Sequence, residues 1–597
     1  MVRSTDAEGK ITMRKQYAWR SASLATLFAV IGFSIIVQIV RIQTSQEAEE
    51  FRKQARRYEG WIETVYPARG EIYDRDGHLL AGNQIVYEIG VTLANIKNPQ
   101  SIAEALATVL GKDYAEIFTA ITEPNEGQVY LMLADYVEAE QAEALKLLQT
   151  NLDAQYENGA DNPPSLAGLN FREHLARSYP EDWIGSNVIG FVNQSGHGYF
   201  GIEEKYNDLL AGNPVEIWIP ADPNRVEEIP QVPDGTTLIL TLDRELQVAT
   251  EDILDQSMYN YGAQAGSIIV MDPRNGEILA MASTPRLNLS EYSQYDALFN
   301  NASEYNRAIN LPYEPGSVFK ILTMAAALDA GVVQPDTTFT DTGSIIIGGA
   351  KIENWDKQAW GLQDMTGCLQ HSLNVCLSWV AVQMGPQTFY DYMSLFGIGH
   401  PTGIDLSGEA GGRLRVPGDS DWYPVDLATN SFGQGVTATP IQMMMAVSAV
   451  ANNGKMVTPH VLYGMVRNNE QYDFPPQDAG TPISAETARA LSEMLANSLS
   501  YEDSEALVPG YRLAGKTGTA QIPTDYGWYA SGITNTSFIG WGPVDEPRFM
   551  IYVWLEQPSA STWASKTAAP VFAQVAETTA LLLDIPPDHI RQQFASQ

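Results

Sequence analysis

Gly510-Tyr511-Arg512-Leu513-Ala514-Gly515-Lys516-Thr517-Gly518-Thr519 admits two folds. Read from Gly510, the spacing is G-x-x-x-x-G-K-T, the loop that cradles a phosphate between a strand and a helix starting at the lysine. The continuation decides against it. Gly518-Thr519-Ala520-Gln521-Ile522-Pro523 combines glycine, a β-branched residue and proline, all of which oppose a helix. The segment therefore reads as a strand, with Lys516, Gly518 and Ala520 on one face and Thr517 and Thr519 on the other. A glycine at 518 is expected to let a substrate backbone lie against that strand.

The surroundings agree with a sheet. Ser267–Met271 and Glu277–Ala282 flank Asn275-Gly276, a strong hairpin signal. Phe549–Leu555 reads as a further strand, and Pro570–Leu583 as a terminal helix with proline at its first position. Strands near both ends with apolar helices between them predict an α/β (α+β) sheet domain over 236–597. Pro230, Pro233 and Asp234-Gly235 punctuate the chain just before it. Upstream, 42–235 reads as an elongated mixed α+β region. A charged helical stalk covers 42 to about 65, and Ala68–Gly77 is a strand running into an Asp-Gly turn. Helical periodicity extends over 98–150, polar loops over 151–166, and a short helix ends near Leu210.

Ala22 to Val40 carries no charge and is fenced by Arg20 and Arg41. As a helix it spans about 28 Å, close to the roughly 30 Å hydrocarbon core of a bilayer. Arg14, Lys15 and Arg20 precede it closely against Arg41 alone just after it, which favours a cytoplasmic tail at 1–20 and an uncleaved anchor at 21–41. The chain has 597 residues, with 36 basic and 72 acidic side chains. A surface that acidic repels phosphate backbones and argues against nucleic acid as a partner. The 7 histidines form no HExxH or HxH pair, so no metal site and no cofactor is expected. Cys368 and Cys376 fall in one stretch read as helix, about 12 Å apart along its axis. A bridge needs Cα atoms within roughly 7 Å, so free thiols are expected.

Two further motifs carry chemistry. In Glu314-Pro315-Gly316-Ser317-Val318-Phe319-Lys320, proline and glycine end a loop, and Ser317 opens a run that is apolar on nearly every face. Such a helix is buried. Lys320, at i+3, shares the face of Ser317, and burial lowers an ammonium pKa towards a value where the amine acts as a base. The helix N-terminus also favours an alkoxide or oxyanion. The bland alternative is a capping serine with a snorkelling lysine. Ser372-Leu373-Asn374 lies in a mostly apolar helix, where the two polar side chains need partners: a polar cleft, or each other.

S-x-x-K, S-x-N and K-T-G in that order form the signature set of penicillin-binding proteins and serine β-lactamases, which this chain resembles. ARGEIYDRDG, Arg177-Ser178-Tyr179-Pro180 and GYFGIEEKYNDLLAG are similar to the pedestal (dimerisation-like) domain of class B penicillin-binding proteins. DPRNGEILAMASTP, SFGQGVTATPIQM and AAPVFAQV are similar to their transpeptidase domain. The resemblance implies a peptidoglycan D,D-transpeptidase of the bacterial inner membrane, inhibited by β-lactams.

It also implies roles. Ser317 attacks the D-Ala-D-Ala carbonyl of a stem peptide, Lys320 accepts its proton and Ser372 relays one to the leaving amine. Asn374 holds the substrate amide. Lys516 supplies positive potential, while Thr517, Gly518 and Thr519 line the carboxylate site. The N–H groups of Ser317 and Thr519 form the oxyanion hole. A polytopic lipid II polymerase is the implied membrane partner. Leu373 departs from the S-D-N form, and no E-x-x-L-N segment follows Asn374 to supply a deacylating carboxylate. The rival readings are a D,D-carboxypeptidase or β-lactamase, and a β-lactam sensor or scaffold.

Overall fold

The structure, a computed structural model, describes residues 7–44, 60–156, 163–220, 232–299, 305–501, 504–522 and 532–595. Most of the expected stalk lies outside these residues. The described end of it, Gly60–Val65, is a strand and not a helix, paired antiparallel with Val215–Pro220. The chain divides into two compact units, one of 1–67 with 213–233 and one of 68–212 with 234–597.

In the first unit a single helix, Ala7–Gln43, contains the apolar stretch. Within it Trp19–Gln43, 25 residues, is long and apolar enough to cross a membrane. Ser23 and Thr26 turn their hydroxyls back onto the carbonyls of Trp19 and Ala22, so these two polar groups are satisfied inside the helix.

The second unit is organised around a five-stranded antiparallel sheet in the order Ile278–Ser283, Ala265–Met271, Phe549–Glu556, Thr534–Gly542, Ala514–Gln521. Every residue of Ala265–Met271 is buried, because helices cover both faces. On one side Ile268, Val270, Phe538, Val553 and Leu555 pack with Leu254 of helix Arg244–Tyr261 and with Phe572 and Val575 of helix Ala568–Leu582. On the other, Ile269, Met271, Tyr552 and Trp554 join the core of helices Lys320–Asp329 and Pro440–Ala451. The latter starts with a capping box: Thr439 accepts from the Gln442 amide at 3.3 Å and Gln442 accepts from the Thr439 amide at 3.2 Å. The helix expected as terminal begins at Ala568, two residues before Pro570, so the proline lies inside the first turn, where no intrahelical N–H bond is required, and it is not the last: a further helix, Asp588–Ala595, follows it.

A second sheet joins the upstream region to this domain. Thr237–Leu240 pairs in parallel with Ile72–Tyr73 and antiparallel with Leu462–Arg467, and Ile72–Tyr73 continues through a turn at Gly77 into Leu79–Thr92. The helical reading of 98–150 is corrected within this sheet. Helices Pro99–Leu110, Tyr114–Thr122 and Ala139–Tyr156 form, but Tyr130–Glu138 is a strand. Its backbone bonds are supplied by Leu79–Thr92, a partner remote in sequence. Residues 151–156, expected in a polar loop, belong to helix Ala139–Tyr156. The three upstream motifs converge on Glu203, whose fully buried carboxylate accepts from Arg69 Nε and Arg177 Nε, each at 2.7 Å. Two guanidinium partners, one at each carboxylate oxygen, offset the cost of burying that charge.

Candidate active site

Pro315 and Gly316 break the chain before the serine, Gly316 at φ 60°. Gly316–Phe319 forms a 3₁₀ turn that feeds into the α-helix Lys320–Asp329. The turn is clamped from behind by Ser431–Gly435: Gly316 N–H donates to the Gly433 carbonyl at 3.0 Å, and Gly435 N–H donates to the Glu314 carboxylate at 2.9 Å. From Pro315 to Lys320 every residue is buried except Ser317, which alone keeps contact with solvent.

Lys320 is 0% exposed. Its ammonium donates to the Ser372 carbonyl at 2.6 Å, to Asn374 Oδ1 at 2.8 Å and to Ser372 Oγ at 3.1 Å. Burial, and then the nearby Lys516 cation, push its pKa well below the ordinary lysine value. A buried amine with a depressed pKa, three residues from a serine open to the cleft, is equipped to take a proton from it.

Ser372 and Asn374 do not lie within one helix. Helix Met365–Gln370, capped by Asp364, ends before Ser372, and a new helix begins at Asn374. Ser372 itself has φ 52°, a left-handed conformation that costs energy for a residue with a Cβ. The break turns Leu373 into the core, where it is fully buried, which explains an apolar residue at the middle position. It also overturns the expectation of free thiols. The chain folds back, the Cα atoms of Cys368 and Cys376 lie 6.1 Å apart, and the two form a disulfide around the motif. A 12 Å axial separation holds only in an unbroken helix, and here the helix is interrupted between the two cysteines. Asn374 Nδ2 donates to the Glu353 carbonyl at 3.2 Å, so its amide is used on both sides.

Ala514–Gln521 is an edge strand, paired throughout with Thr534–Gly542. No helix starts at Lys516, so the phosphate-loop geometry is absent. Lys516, Gly518 and Ala520 face inward and are buried, while Thr517 and Thr519 are half-exposed, the predicted alternation. Lys516 Nζ donates to the carbonyl and to the hydroxyl of Thr517, each at 3.3 Å. Ala564 N–H donates to Thr519 Oγ1 at 3.2 Å, leaving the threonine O–H to donate elsewhere.

The reason for glycine at 518 differs from the expected one. A Cβ there would stand 2.4 Å from Ser537 Oγ, 2.9 Å from Val318 Cγ1 and 3.1 Å from the Pro315 carbonyl. The space belongs to the serine-bearing turn, which packs directly on the strand.

Ser317, Lys320, Ser372, Asn374 and Lys516 thus converge from a turn, a helix break and an edge strand. Sequence reasoning missed Glu314, Gly433 and Gly435 as the clamp, although the paired glycines of Ser431–Gly435 were a signal for close backbone approach. It also missed Asn354, whose Oδ1 accepts from Val375 N–H at 3.2 Å and fixes the second helix start.

Residues 266–577 match the family described as penicillin binding protein transpeptidase domain, and 64–217 match the penicillin-binding protein dimerisation domain. Stage V sporulation protein D of Bacillus subtilis is 31% identical over 97% of this chain and 87% of its own length. The peptidoglycan D,D-transpeptidase FtsI of Escherichia coli is 28% identical over 88% of this chain and 86% of its own. Among solved structures, penicillin binding protein 3 of Mycobacterium tuberculosis, complexed with aztreonam, superposes with TM-score 0.67 at 25% identity, over 88% of this chain and 98% of that one.

Proposed function

The chain belongs to the class B penicillin-binding proteins, and on that premise we propose how its cleft residues divide the work. The protein is a peptidoglycan D,D-transpeptidase, a serine acyltransferase of cell-wall synthesis that binds β-lactams. In this reading Ser317 Oγ attacks the carbonyl of the penultimate D-alanine of a stem peptide, and its proton passes to the neutral Lys320 amine. The resulting oxyanion is held by the N–H groups of Ser317 and Thr519; such a donor is typically worth 10²–10³ in rate. The C–N bond then breaks. The departing D-alanine takes a proton relayed through Ser372, and an ester to Ser317 remains. An amine of a second stem peptide attacks that ester, gives up a proton to the same relay and leaves the cross-link, restoring the serine.

Asn374 orients the donor amide. Lys516 provides the positive potential, and the hydroxyls of Thr517 and Thr519 receive the terminal carboxylate, with the backbone at Gly518 lying between them. The observation that carries this assignment is the Lys320 amine, fully buried, held to Ser372 and Asn374, and three residues from Ser317, the one residue of 315–320 that is not buried. No step requires a metal or cofactor.

The apolar helix fits a single-pass membrane anchor. We assign 1–20 to the cytoplasm, 21–41 to the inner membrane, 42–235 to the pedestal and 236–597 to the extracytoplasmic transpeptidase domain. Excess basic charge just before the span supports that orientation. A polytopic lipid II polymerase, contacted through anchor and pedestal, is the proposed partner that supplies glycan strands.

Incubating the full chain with a fluorescent penicillin and mapping the adduct by mass tests the assignment. A stable adduct on Ser317, absent in Ser317→Ala, is expected. An adduct on another residue would overturn the assignment, and rapid hydrolysis of the drug would favour a hydrolase. With paired stem peptides as substrate, a cross-linked dimer is expected in place of a trimmed monomer.

A further inference from the structure

A buried carboxylate behind the cleft wall has no part in the chemistry assigned so far. Asp341, 2% exposed, ends the strand Thr338–Asp341, which pairs with Gly361–Asp364. Its Oδ2 accepts from Asn354 Nδ2 and from the Trp360 backbone N–H, each at 2.8 Å. Oδ1 takes no hydrogen bond among the described residues. The carboxylate therefore acts through one oxygen, and that oxygen joins the two ends of the loop 354–360.

The break at Ser372 rests on that loop. At the start of the loop, Asn354 Oδ1 accepts from Val375 N–H at 3.2 Å, in the first turn of the helix that opens with Asn374. A donor in that position has no partner within its own helix, and the asparagine side chain supplies one. At the end of the loop, the Trp360 ring stacks on His371, with centroids 4.0 Å apart and planes 21° from parallel. His371 immediately precedes Ser372. The loop thus holds the motif on both sides, at His371 before the left-handed serine and at Val375 after the asparagine. Lys320 depends on what lies between, through its bonds to Ser372 and Asn374.

We propose that Asp341 is the positioning residue of the S-x-N segment: by stapling Asn354 to Trp360 it fixes Ser372 and Asn374, and through them the Lys320 amine. It touches neither substrate nor reacting atoms. The inference rests on the reading of Ser317 as nucleophile and Lys320 as base. Hydrogen bonds to an ionised acceptor are roughly twice as strong as neutral ones, which suits one oxygen to closing a loop. Without the staple the helix start and the imidazole shift independently, and misplacing a reacting group by about 1 Å costs on the order of 10²-fold in rate. The strand Ala514–Gln521, where the proposed mechanism puts the donor carboxylate, takes no part in these bonds. The loss therefore falls on the acylation step and spares drug binding.

The test follows acylation of the full-length protein in detergent by a fluorescent penicillin at rising drug concentration. This separates the acylation rate constant from the dissociation constant of the drug. Asp341→Ala is expected to lower the rate constant of the folded protein about 10–100-fold, with the dissociation constant within about three-fold of the parent. Asp341→Asn keeps an oxygen at the Oδ2 position and should stay within about three-fold in both. Asn354→Asp sets one carboxylate against another and should lose about as much as Asp341→Ala. Combining Asp341→Asn with Asn354→Asp reverses the bond between the two side chains: the amide now donates from position 341, and the carboxylate at 354 still accepts from Val375 N–H. This pair should recover most of the loss, short of the bond that Asn354 Nδ2 makes to the Gln358 carbonyl at 3.1 Å.

A parental rate constant in folded Asp341→Ala, however much stability is lost, would overturn the proposal and make the carboxylate merely structural. Equal losses in both constants would also overturn it, in favour of a general collapse of the cleft. So would a double variant no faster than Asn354→Asp alone. Should Asp341→Ala fail to fold, the two isosteric exchanges and their combination decide by themselves. Absence of any adduct at Ser317 in the parent protein would overturn the underlying acylation reading, a result distinct from every comparison among variants.

Discussion

On one side of the cleft, Ala514–Gln521 takes its shape from continuous pairing with Thr534–Gly542. On the other, Ser372 and Asn374 sit at a break between two helices, with Ser372 at φ 52°, Leu373 sunk in the core and a disulfide closing the loop behind them. The strand is regular and low in strain. The helix break is irregular and holds its form through specific ties, of which the Lys320 amine is one. In the proposed mechanism such a cleft combines a rail along which a peptide lies with a loop whose side chains handle protons. Backbone strain collects on the helix-break side, where the proposed proton relay sits.

The contrast can be broken most severely at Lys320. Lys320→Ala should reduce acylation by labelled penicillin about 10²–10⁴-fold, the range for a lost general base. The strand wall should remain intact by hydrogen exchange. Undiminished labelling would remove Lys320 from the mechanism. Next in size is the disulfide. Replacing Cys368 and Cys376 together by alanine should cost about 2–3 kcal/mol of stability, the value expected for so short a loop, measured by thermal or denaturant unfolding. Exchange should quicken at 371–375 and not at 514–521.

Gly518→Ala attacks the rail instead. Its Cβ would collide with Ser537 and Val318, so a loss of about 1–3 kcal/mol is expected, together with slower acylation as the serine turn is pushed away. A wild-type acylation rate would show that the turn can yield.

The subtlest effect is on pH. Lys320 must be neutral to accept a proton, and burial and Lys516 hold its pKa below the ordinary value. Acylation efficiency should therefore rise with pH through that depressed value. Lys516→Gln removes the second cause, so the rising limb should move to higher pH, beyond whatever is lost in affinity. A limb that stays in place would mean that the two lysines do not communicate across the cleft.

The strand wall was legible because its information is local. Glycine, threonine and proline after Lys516 exclude a helix, and alternation assigns the faces. The hairpin at Asn275-Gly276 and the strand at Phe549 are legible for the same reason. The helix break was not legible. GCLQHSLNVCLSWVAVQMG is apolar enough to read as one helix, and nothing local in it demands a left-handed serine. That conformation is maintained by partners remote in sequence, Lys320 below and Asn354 at the start of the second helix, and by the disulfide that closes Cys368 onto Cys376 around the turn. The strand Tyr130–Glu138 escaped in the same way, since its partner is Leu79–Thr92.

The sequence by itself determined the long apolar N-terminal helix, the sheet domain, and which serine, lysines and asparagine belong together, because these follow from apolar length, alternation and motif order. Only the tertiary structure decided where Ser372 points, why 373 is leucine, that the cysteines are joined, and that Gly518 makes room for the serine turn. Ser372 and Gly518 depend on what parts of the chain fifty or two hundred residues away place within a few ångströms, and the cysteines meet only because the helix between them is broken; no local pattern encodes either.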